Sequence, residues 1–167
     1  MKKEMQAIDK AVTRINLICA SLAGLILLFI TFTIFIDVFL RYFFNSPSVW
    51  ITEVSSYLFL YVVFLGTSYA LQADLHISVT FLSDQFGKGL GYIVGLFRIL
   101  LSALFSAVLL WQTSRMTWKA FSENWTTPTM LSVPYALIYV AMVIGSALLL
   151  ITLINRFILQ LLQMRID

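Results

Sequence analysis

Four long runs of apolar residues, with few or no charges inside them, divide the chain. Residues 15–36 and 54–73 contain no charged residue, a third run lies between Arg98 and Arg115, and a fourth begins near residue 132 within the uncharged stretch 124–155. At a rise of about 1.5 Å per residue, the first run forms a helix about 33 Å long, enough to cross the hydrocarbon core of a bilayer. Because the runs are apolar on all faces, they favour membrane spans over core helices of a soluble domain.

The pattern predicts an all-α membrane protein with one domain over residues 1–167 and four transmembrane helices at about 15–44, 50–73, 96–118 and 131–156. Two flanking segments, residues 5–15 and 81–97, carry apolar residues at helical spacing. We expect short interfacial amphipathic helices there, the second alternatively being a slanted entry into the third span. A β-barrel would show short alternating segments, and a signal peptide would have a shorter apolar run followed by a cleavage site.

The distribution of basic residues predicts the orientation. With four spans, both termini share one side of the membrane. That side would hold seven basic residues and the other side three, with Arg98 left aside. Positive charge is enriched on the cytoplasmic side, so we expect both termini in the cytoplasm and the turn at 37–53 on the outer side.

Composition excludes several classes of function. The chain is 60% hydrophobic and only 11% charged, with a mean hydropathy of +0.93. Its single cysteine, Cys19, excludes an internal disulfide framework and a multi-cysteine metal site, and its single histidine, His76, excludes haem held by two histidines of this chain. The net charge of +3 is spread over scattered basic residues, so nucleic acid is not an expected partner.

Three ionisable residues surround the predicted outer turn. Asp37 and Arg41 are four residues apart, where opposite charges on a helix face each other, and Glu53 lies in the first turn of the second span. The structural interpretation is a neutralising cluster at the membrane interface, with Arg41 able to reach either acid. The alternatives are a contact with a partner subunit and, less favoured, a proton relay. Trp50, also in this turn, suits the membrane interface.

Two further polar residues are candidates because charge inside a membrane is costly. Arg98 is the most interior charge, and it either extends to the cytoplasmic headgroups or links to a partner or a bound lipid. His76, with Asp74 nearby, has no second histidine or cysteine with which to hold a metal, so a hydrogen bond at a helix end is the structural interpretation.

Catalytic and transport motifs are missing from the sequence. It contains no Gly-rich phosphate loop and no HExxH, and the first, second and fourth runs have no central ionisable residue. No run is interrupted mid-membrane by Gly and Pro, as many transporter binding sites require. We therefore expect a chain that supports another protein, catalyses no reaction and contains no cofactor or metal site.

The segment 37–79 resembles the small membrane subunit, or small permease component, of tripartite ATP-independent periplasmic (TRAP) transporters. The matching residues are Arg41, Tyr42, Phe44, Asn45, Trp50, Glu53, Phe64, Leu65, Gly66, His76 and Ile77. A second signature opens the last span, with matches at Thr127, Pro128, Pro134, Tyr139 and Gly145. The resemblance covers nearly the whole chain.

The resemblance implies a division of labour within a transporter of the bacterial inner membrane. A periplasmic solute-binding protein captures an organic acid, such as sialic acid or a dicarboxylate. A large TRAP membrane subunit carries the solute and sodium sites and moves them by an elevator-type motion. The small subunit is then a non-catalytic scaffold that packs on the large subunit among membrane lipids. The residues above, Arg98 included, become candidates for internal pairing or for the partner interface.

Two other functions remain open from the residues themselves. One is a self-sufficient small transporter or channel formed by several copies of a four-helix chain. The other is a membrane enzyme or redox subunit, which a single histidine and the lack of a catalytic set disfavour.

Overall fold

The computed structural model describes the backbone of residues 2–46 and 48–164 and the side chains of 8–46, 48–73 and 95–161. This part of the chain forms three continuous helices: α1 (Lys2–Phe44), α2 (Val49–Ser122) and α3 (Tyr135–Met164). The prediction of an all-α membrane protein is confirmed. Four helical segments are long and apolar enough to cross a membrane: Ile8–Phe44, Val49–Ala73, Gly95–Ser122 and Tyr135–Leu161.

The second and third of these segments belong to one helix, α2, of 74 residues. A straight helix of that length would extend about 111 Å. Thr67 and Leu71 in its first half (Val49–Ala73) nevertheless line the same groove as Leu101 and Phe105 in its second half (Gly95–Ser122). The two halves of α2 therefore lie side by side, and α2 reverses direction between them.

Side-chain contacts fix the directions of the spans. Asn155 of α3 bonds Asp9 of α1, and Gln72 also bonds α1, so these residues mark one end of the bundle, the terminus end. The hydroxyl oxygens of Tyr57 and Thr129 lie 3.4 Å apart, so the connections 45–48 and 123–134 are both at the other end, the loop end. α1 and the first half of α2 are thus antiparallel neighbours, as the short connection between them predicts.

The two predicted interfacial segments are not separate elements. The N-terminal segment is the start of α1, and residues 81–97 are part of α2. The side chains of 81–94 lie outside the described residues. An interfacial position for either segment stays a prediction.

Small residues form the contacts between spans, as is usual in membrane bundles. Ala141, Ser146 and Ser106 are almost completely buried, whereas most large apolar side chains point outward. Gly145 lies so close to Phe64 that an added Cβ would be 2.6 Å from the Phe64 Cβ. This glycine lets α3 and the first half of α2 approach each other in mid-membrane, which places the polar groups at both ends of the bundle within bonding distance.

Candidate partner interface

Asp37 holds the first connection at the loop end. One carboxylate oxygen accepts a bond from the Arg41 guanidinium at 3.0 Å, and the other accepts the backbone N–H of Ser48 at 2.9 Å. Ser48 is the N-cap of α2, and its own side chain makes no capping bond. Asp37 therefore neutralises a charge on its own helix and fixes the start of the next. Its side chain is buried, whereas that of Arg41 is 54% exposed.

Asn45 ends α1. Its φ of 48° lies in the left-handed region, which asparagine tolerates better than most residues, and such a residue commonly terminates a helix. The N–H of Ser46 then bonds back to the carbonyl of Leu40 at 3.4 Å. Asn45 is thus positioned by a backbone requirement, while its exposed side chain stays at the surface. Pro47, whose ring is incompatible with a continuing helix, lies outside the described residues.

Glu53 does not pair with Arg41. No salt bridge joins them among the described side chains, and the Glu53 Oε2 atom is buried without a hydrogen-bond partner there. The reason is geometric, because the Arg41 guanidinium is bound to the acid one turn earlier on its own helix. Tyr57, one turn after Glu53 and so on the same face, contacts the second connection. Glu53 therefore lies on the side of α2 that faces residues 123–134.

That second connection is a compact loop built around Thr127. The Thr127 hydroxyl accepts the N–H of Val133 at 3.0 Å and the hydroxyl of Thr129 at 2.9 Å, and its backbone N–H donates to the carbonyl of Val133 at 3.0 Å. Thr127 is only 4% exposed. Asn124 and Ser132 take positive φ values of 51° and 45° where the chain turns. The loop at 123–134 is therefore a defined surface.

Two tyrosines join this loop region to α2. Tyr57 contacts Thr129, and the Tyr61 hydroxyl donates to the carbonyl of Leu137, at the start of α3, at 2.6 Å. The second connection and the start of α3 are thereby held against the N-terminal part of α2 at the loop end.

Aromatic side chains project outward at the loop end. Tyr42 is 82% exposed and Trp50 is 52% exposed. One outward face of α1 carries large apolar residues at successive spacings of four, three, seven and four, which keeps them on one side of the helix. Within it, Phe39 stacks on Phe43 with ring centroids 4.4 Å apart. We call this face the α1 stripe; its members, all exposed, are Leu25, Phe29, Phe32, Phe39 and Phe43.

The terminus end is held by a network of mostly uncharged side chains around Asn16, which is completely buried. The Asn16 amide donates to Gln72 at 3.0 Å and to Thr152 at 2.9 Å, so one side chain joins α1, α2 and α3. Gln72 in turn donates to Thr13 at 2.6 Å. One turn further along α3, Asn155 donates to the Asp9 carboxylate at 2.8 Å. These contacts tie α1 to residues far away in the sequence.

Sequence reasoning missed this network. Asn16, Gln72 and Thr152 are uncharged, and each stands inside or beside an apolar run where a single polar residue attracts little attention. The available signal was their polarity itself, because a buried amide in a membrane needs partners. Which partners they find depends on how helices far apart in the sequence pack.

Two of the predicted candidates lie away from the loop end. Arg98 is half-buried in the second half of α2, close to Gly95, where an added Cβ would be 2.9 Å from the Gln160 amide nitrogen. This places Arg98 toward the terminus end. The side chain of His76 lies outside the described residues.

The polar groups of the described side chains mostly bond to one another. The hydroxyl oxygens of Thr113 and Ser146 lie 3.4 Å apart, and either group can donate the hydrogen bond. The Ser106 hydroxyl donates to the Ser146 backbone carbonyl at 3.3 Å. Among the described residues no group of three or more His, Cys, Asp or Glu side chains could hold a metal ion. The arrangement joins helices and presents apolar and aromatic surfaces.

Comparisons with known proteins agree with this arrangement. The sequence profile of the DctQ component of the tripartite ATP-independent periplasmic transporters matches residues 30–163. A protein of Haemophilus influenzae described as a TRAP transporter small permease protein is 31% identical over 159 residues, which cover 95% of this chain and 92% of the relative. The sialic acid TRAP transporter small permease protein SiaQ of Vibrio cholerae is 36% identical over 45 residues, about a quarter of each chain.

The family is one of transporter components and not of enzymes, and its matched region, residues 30–163, includes three of the four candidate spans in full and the C-terminal part of the first. Together with the four apolar helical segments, this makes the chain a multi-pass protein of the bacterial inner membrane. The chain belongs to the DctQ family, the small permease components of TRAP transporters.

Proposed function

We propose that this chain is the scaffold subunit of a sodium-coupled importer, and that it packs on a large membrane subunit through the α1 stripe. The large subunit holds the solute and sodium sites, and a periplasmic binding protein delivers the solute. The observation that carries this proposal is the contrast within α1. Its inward polar groups, such as Asn16 and Asp37, bond to the other helices of the same chain, while its outward face is aromatic and exposed.

The α1 stripe is suited to a protein partner. Phe32 is 64% exposed and Phe43 is 72% exposed, and the stacked pair Phe39 and Phe43 continues the stripe to the loop end. Aromatic rings bury a large area with few rotatable bonds, which is why they dominate interface energetics. Tyr42 and Trp50, both exposed, lie at the same end and widen the aromatic surface there.

Orientation follows from the basic residues. Seven lie on the side of the termini and three on the side of the loops, counted over the whole sequence without Arg98. We assign the terminus end to the cytoplasm and the loop end to the periplasm. The folded loop at 123–134 is then available to the binding protein.

The solute class we propose is an organic acid with a carboxylate, such as sialic acid or a dicarboxylate. The name of the Vibrio cholerae relative, which includes sialic acid, supports this class of solute. The match covers 45 residues and does not select one organic acid. Selection among organic acids belongs to the other two components.

Co-purification tests the scaffold role. The full chain is expressed with the large subunit, and capture through a tag on the large subunit is measured for wild type and for Phe32→Ala/Phe39→Ala. Both positions are exposed, so this variant keeps the fold and loses most of the large subunit; Arg41→Ala and Trp50→Ala lose part of it. The matched control is Leu104→Ala/Phe105→Ala, two equally exposed residues on α2, which keeps wild-type capture.

Reconstitution gives the second arm of this test. Liposomes with this chain, the large subunit and the binding protein should take up solute, whereas liposomes with this chain alone should not. Uptake by this chain alone would overturn the scaffold role in favour of a self-sufficient transporter. Unchanged capture of the Phe32→Ala/Phe39→Ala variant would remove the α1 stripe from the interface.

A further inference from the structure

A second outward stripe runs along the second half of α2 and changes character along its length. Its residues recur every four and three positions, so they share one helix face. The half toward the terminus end is apolar and the half toward the loop end is polar and basic. We call this face the α2 stripe; its members are Leu101, Phe105, Val108, Gln112, Arg115 and Lys119.

Two cavities lie one after the other along the α2 stripe. The apolar one, about 620 Å³, lies between both halves of α2 and α3 and is lined by Leu71, Leu101, Phe105 and Leu149, among others. The other, about 650 Å³, lies at the loop end and is lined by Gln112, Arg115, Trp118 and Lys119, among others. The α2 stripe contributes residues to both cavities, so a single elongated molecule could occupy the two together.

The loop-end cavity is positively charged. Arg115 has no carboxylate partner among the described residues, and its guanidinium carbon lies 5.7 Å from the centre of the Trp111 ring. The Lys119 ammonium lies 5.4 Å from the Trp125 ring and 4.0 Å from the Glu123 carboxylate. Glu123 is also bonded by the Trp125 indole N–H at 2.8 Å. Two cations, Arg115 and Lys119, therefore face the cavity. The one carboxylate beside them, Glu123, already contacts Lys119 and Trp125.

We propose that the α2 stripe binds one anionic phospholipid of the leaflet at the loop end. The phosphodiester lies between Arg115 and Lys119, beside Trp118, and an acyl chain fills the apolar groove past Val108 and Phe105. Charge complementarity selects an anion, because cations near a membrane surface attract anionic lipid headgroups.

The dimensions fit this occupant. From Lys119 to Phe105 the helix rises about 21 Å, and one leaflet with its headgroup layer is about 20–22 Å thick. An acidic protein loop could neutralise the two cations but would leave the apolar groove uncovered at membrane depth. A phospholipid satisfies both cavities, since it carries charge at one end and hydrocarbon at the other.

Lipid retention by the purified full chain tests the proposal. The chain is purified in detergent, incubated with phosphatidylglycerol or phosphatidylcholine of identical acyl chains, and examined by native mass spectrometry. Wild type should retain phosphatidylglycerol over phosphatidylcholine. Arg115→Gln/Lys119→Gln should lower phosphatidylglycerol retention about tenfold or more and leave phosphatidylcholine retention unchanged.

The matched control is Lys10→Gln/Arg14→Gln, which removes an exposed basic pair of the same spacing at the terminus end and should change retention less than about twofold. Val108→Ala/Phe105→Ala should weaken retention of both lipids by shortening the groove wall. Equal retention of the two lipids by wild type, or equal loss in the control variant, would overturn the proposal. So would a loss of binding-protein docking in Arg115→Gln/Lys119→Gln with phosphatidylglycerol retention intact, since a protein would then be the occupant.

This proposal does not depend on the scaffold role. Arg115→Gln/Lys119→Gln should still co-purify with the large subunit, because the α1 stripe is intact. Failure of co-purification would therefore count against the scaffold role alone, and failure of lipid retention would count against the α2 stripe alone.

Discussion

The two ends of the bundle are held by opposite kinds of chemistry. At the loop end a charged residue, Asp37, bonds Arg41 four residues away and the Ser48 backbone eleven residues away. At the terminus end a neutral residue, Asn16, bonds Gln72 and Thr152, which are 56 and 136 residues away. The Asp37 contacts are local in sequence and partly exposed; the Asn16 contacts are distant in sequence and mostly buried.

This difference has a physical reason. A charged side chain costs little free energy where it is exposed, as Arg41 is. A buried contact between three helices costs less free energy when amides and hydroxyls make it than when charged groups do. The Asp37 contacts can therefore form from α1 and the start of α2 alone. The terminus end requires the whole bundle.

The largest expected effect comes from breaking the close approach of α3 to the first half of α2 at Gly145. In Gly145→Ala the new methyl group meets Phe64, with the Cβ 2.7 Å from the Phe64 carbonyl carbon. We expect a loss of about 3 kcal/mol in the free energy of unfolding, because overpacking forces backbone to move. The measurement is unfolding of the purified chain by SDS in mixed micelles.

Gly24→Ala and Gly66→Ala are the matched controls, since an added Cβ there meets nothing within 4 Å. Both should leave stability unchanged or slightly raised. Equal behaviour of all three variants would mean that α2 and α3 are not in close contact at Gly145.

The next effect is confined to the terminus end. Asn16→Ala removes both donors and leaves Gln72 and Thr152 short of a partner, so we expect a loss of about 2 kcal/mol on the same SDS titration. Ser21→Ala, on an exposed part of α1 with only a bond to its own helix, serves as the control and should change little. Because no ion pair is involved, the loss should be the same at low and high salt. A salt-dependent loss would contradict the neutral character of this end.

The smallest effect belongs to the loop end. Asp37→Ala should cost about 1 kcal/mol, since it removes an interfacial ion pair and the acceptor for the Ser48 N–H. Asp37→Asn keeps an acceptor for that N–H and should cost roughly half as much. Both losses should shrink at high salt because Arg41 is exposed to screening. If Arg41→Ala destabilises as much as Asp37→Ala, the ion pair and not the backbone bond holds this end.

The local features of the fold could be predicted from sequence. Apolar runs gave the number of spans, and the spacing of Asp37 and Arg41 placed them on one helix face. The bond from Asp37 to Ser48 could not be predicted, because a backbone N–H leaves no mark on the sequence. The sequence allowed Arg41 to pair with Glu53 as well as with Asp37. Only the geometry of the turn shows that Arg41 pairs with Asp37.

The distant features were inaccessible for a different reason. Pairing Asn16 with Thr152 requires the rotation and depth of two helices that the sequence separates by more than a hundred residues. The continuity of α2 was also missed. The second and third apolar runs were counted as separate spans, but the charged residues between them do not end a helix, and residues 74–94 contain no proline to remove a backbone bond.

The contact between Asn16 and Thr152 also sets an order of biogenesis. Ribosomes add about 5–20 residues per second, so α1 emerges on the order of ten seconds before its last partner exists. During that interval the hairpin of α1 and the first half of α2 has all the residues it needs to close at Asp37 and Ser48, while the Asn16 amide has Gln72 as its only interhelical acceptor among the described residues. Arrival of α3 supplies the second acceptor, and the subunit is complete only when its final span has entered the membrane.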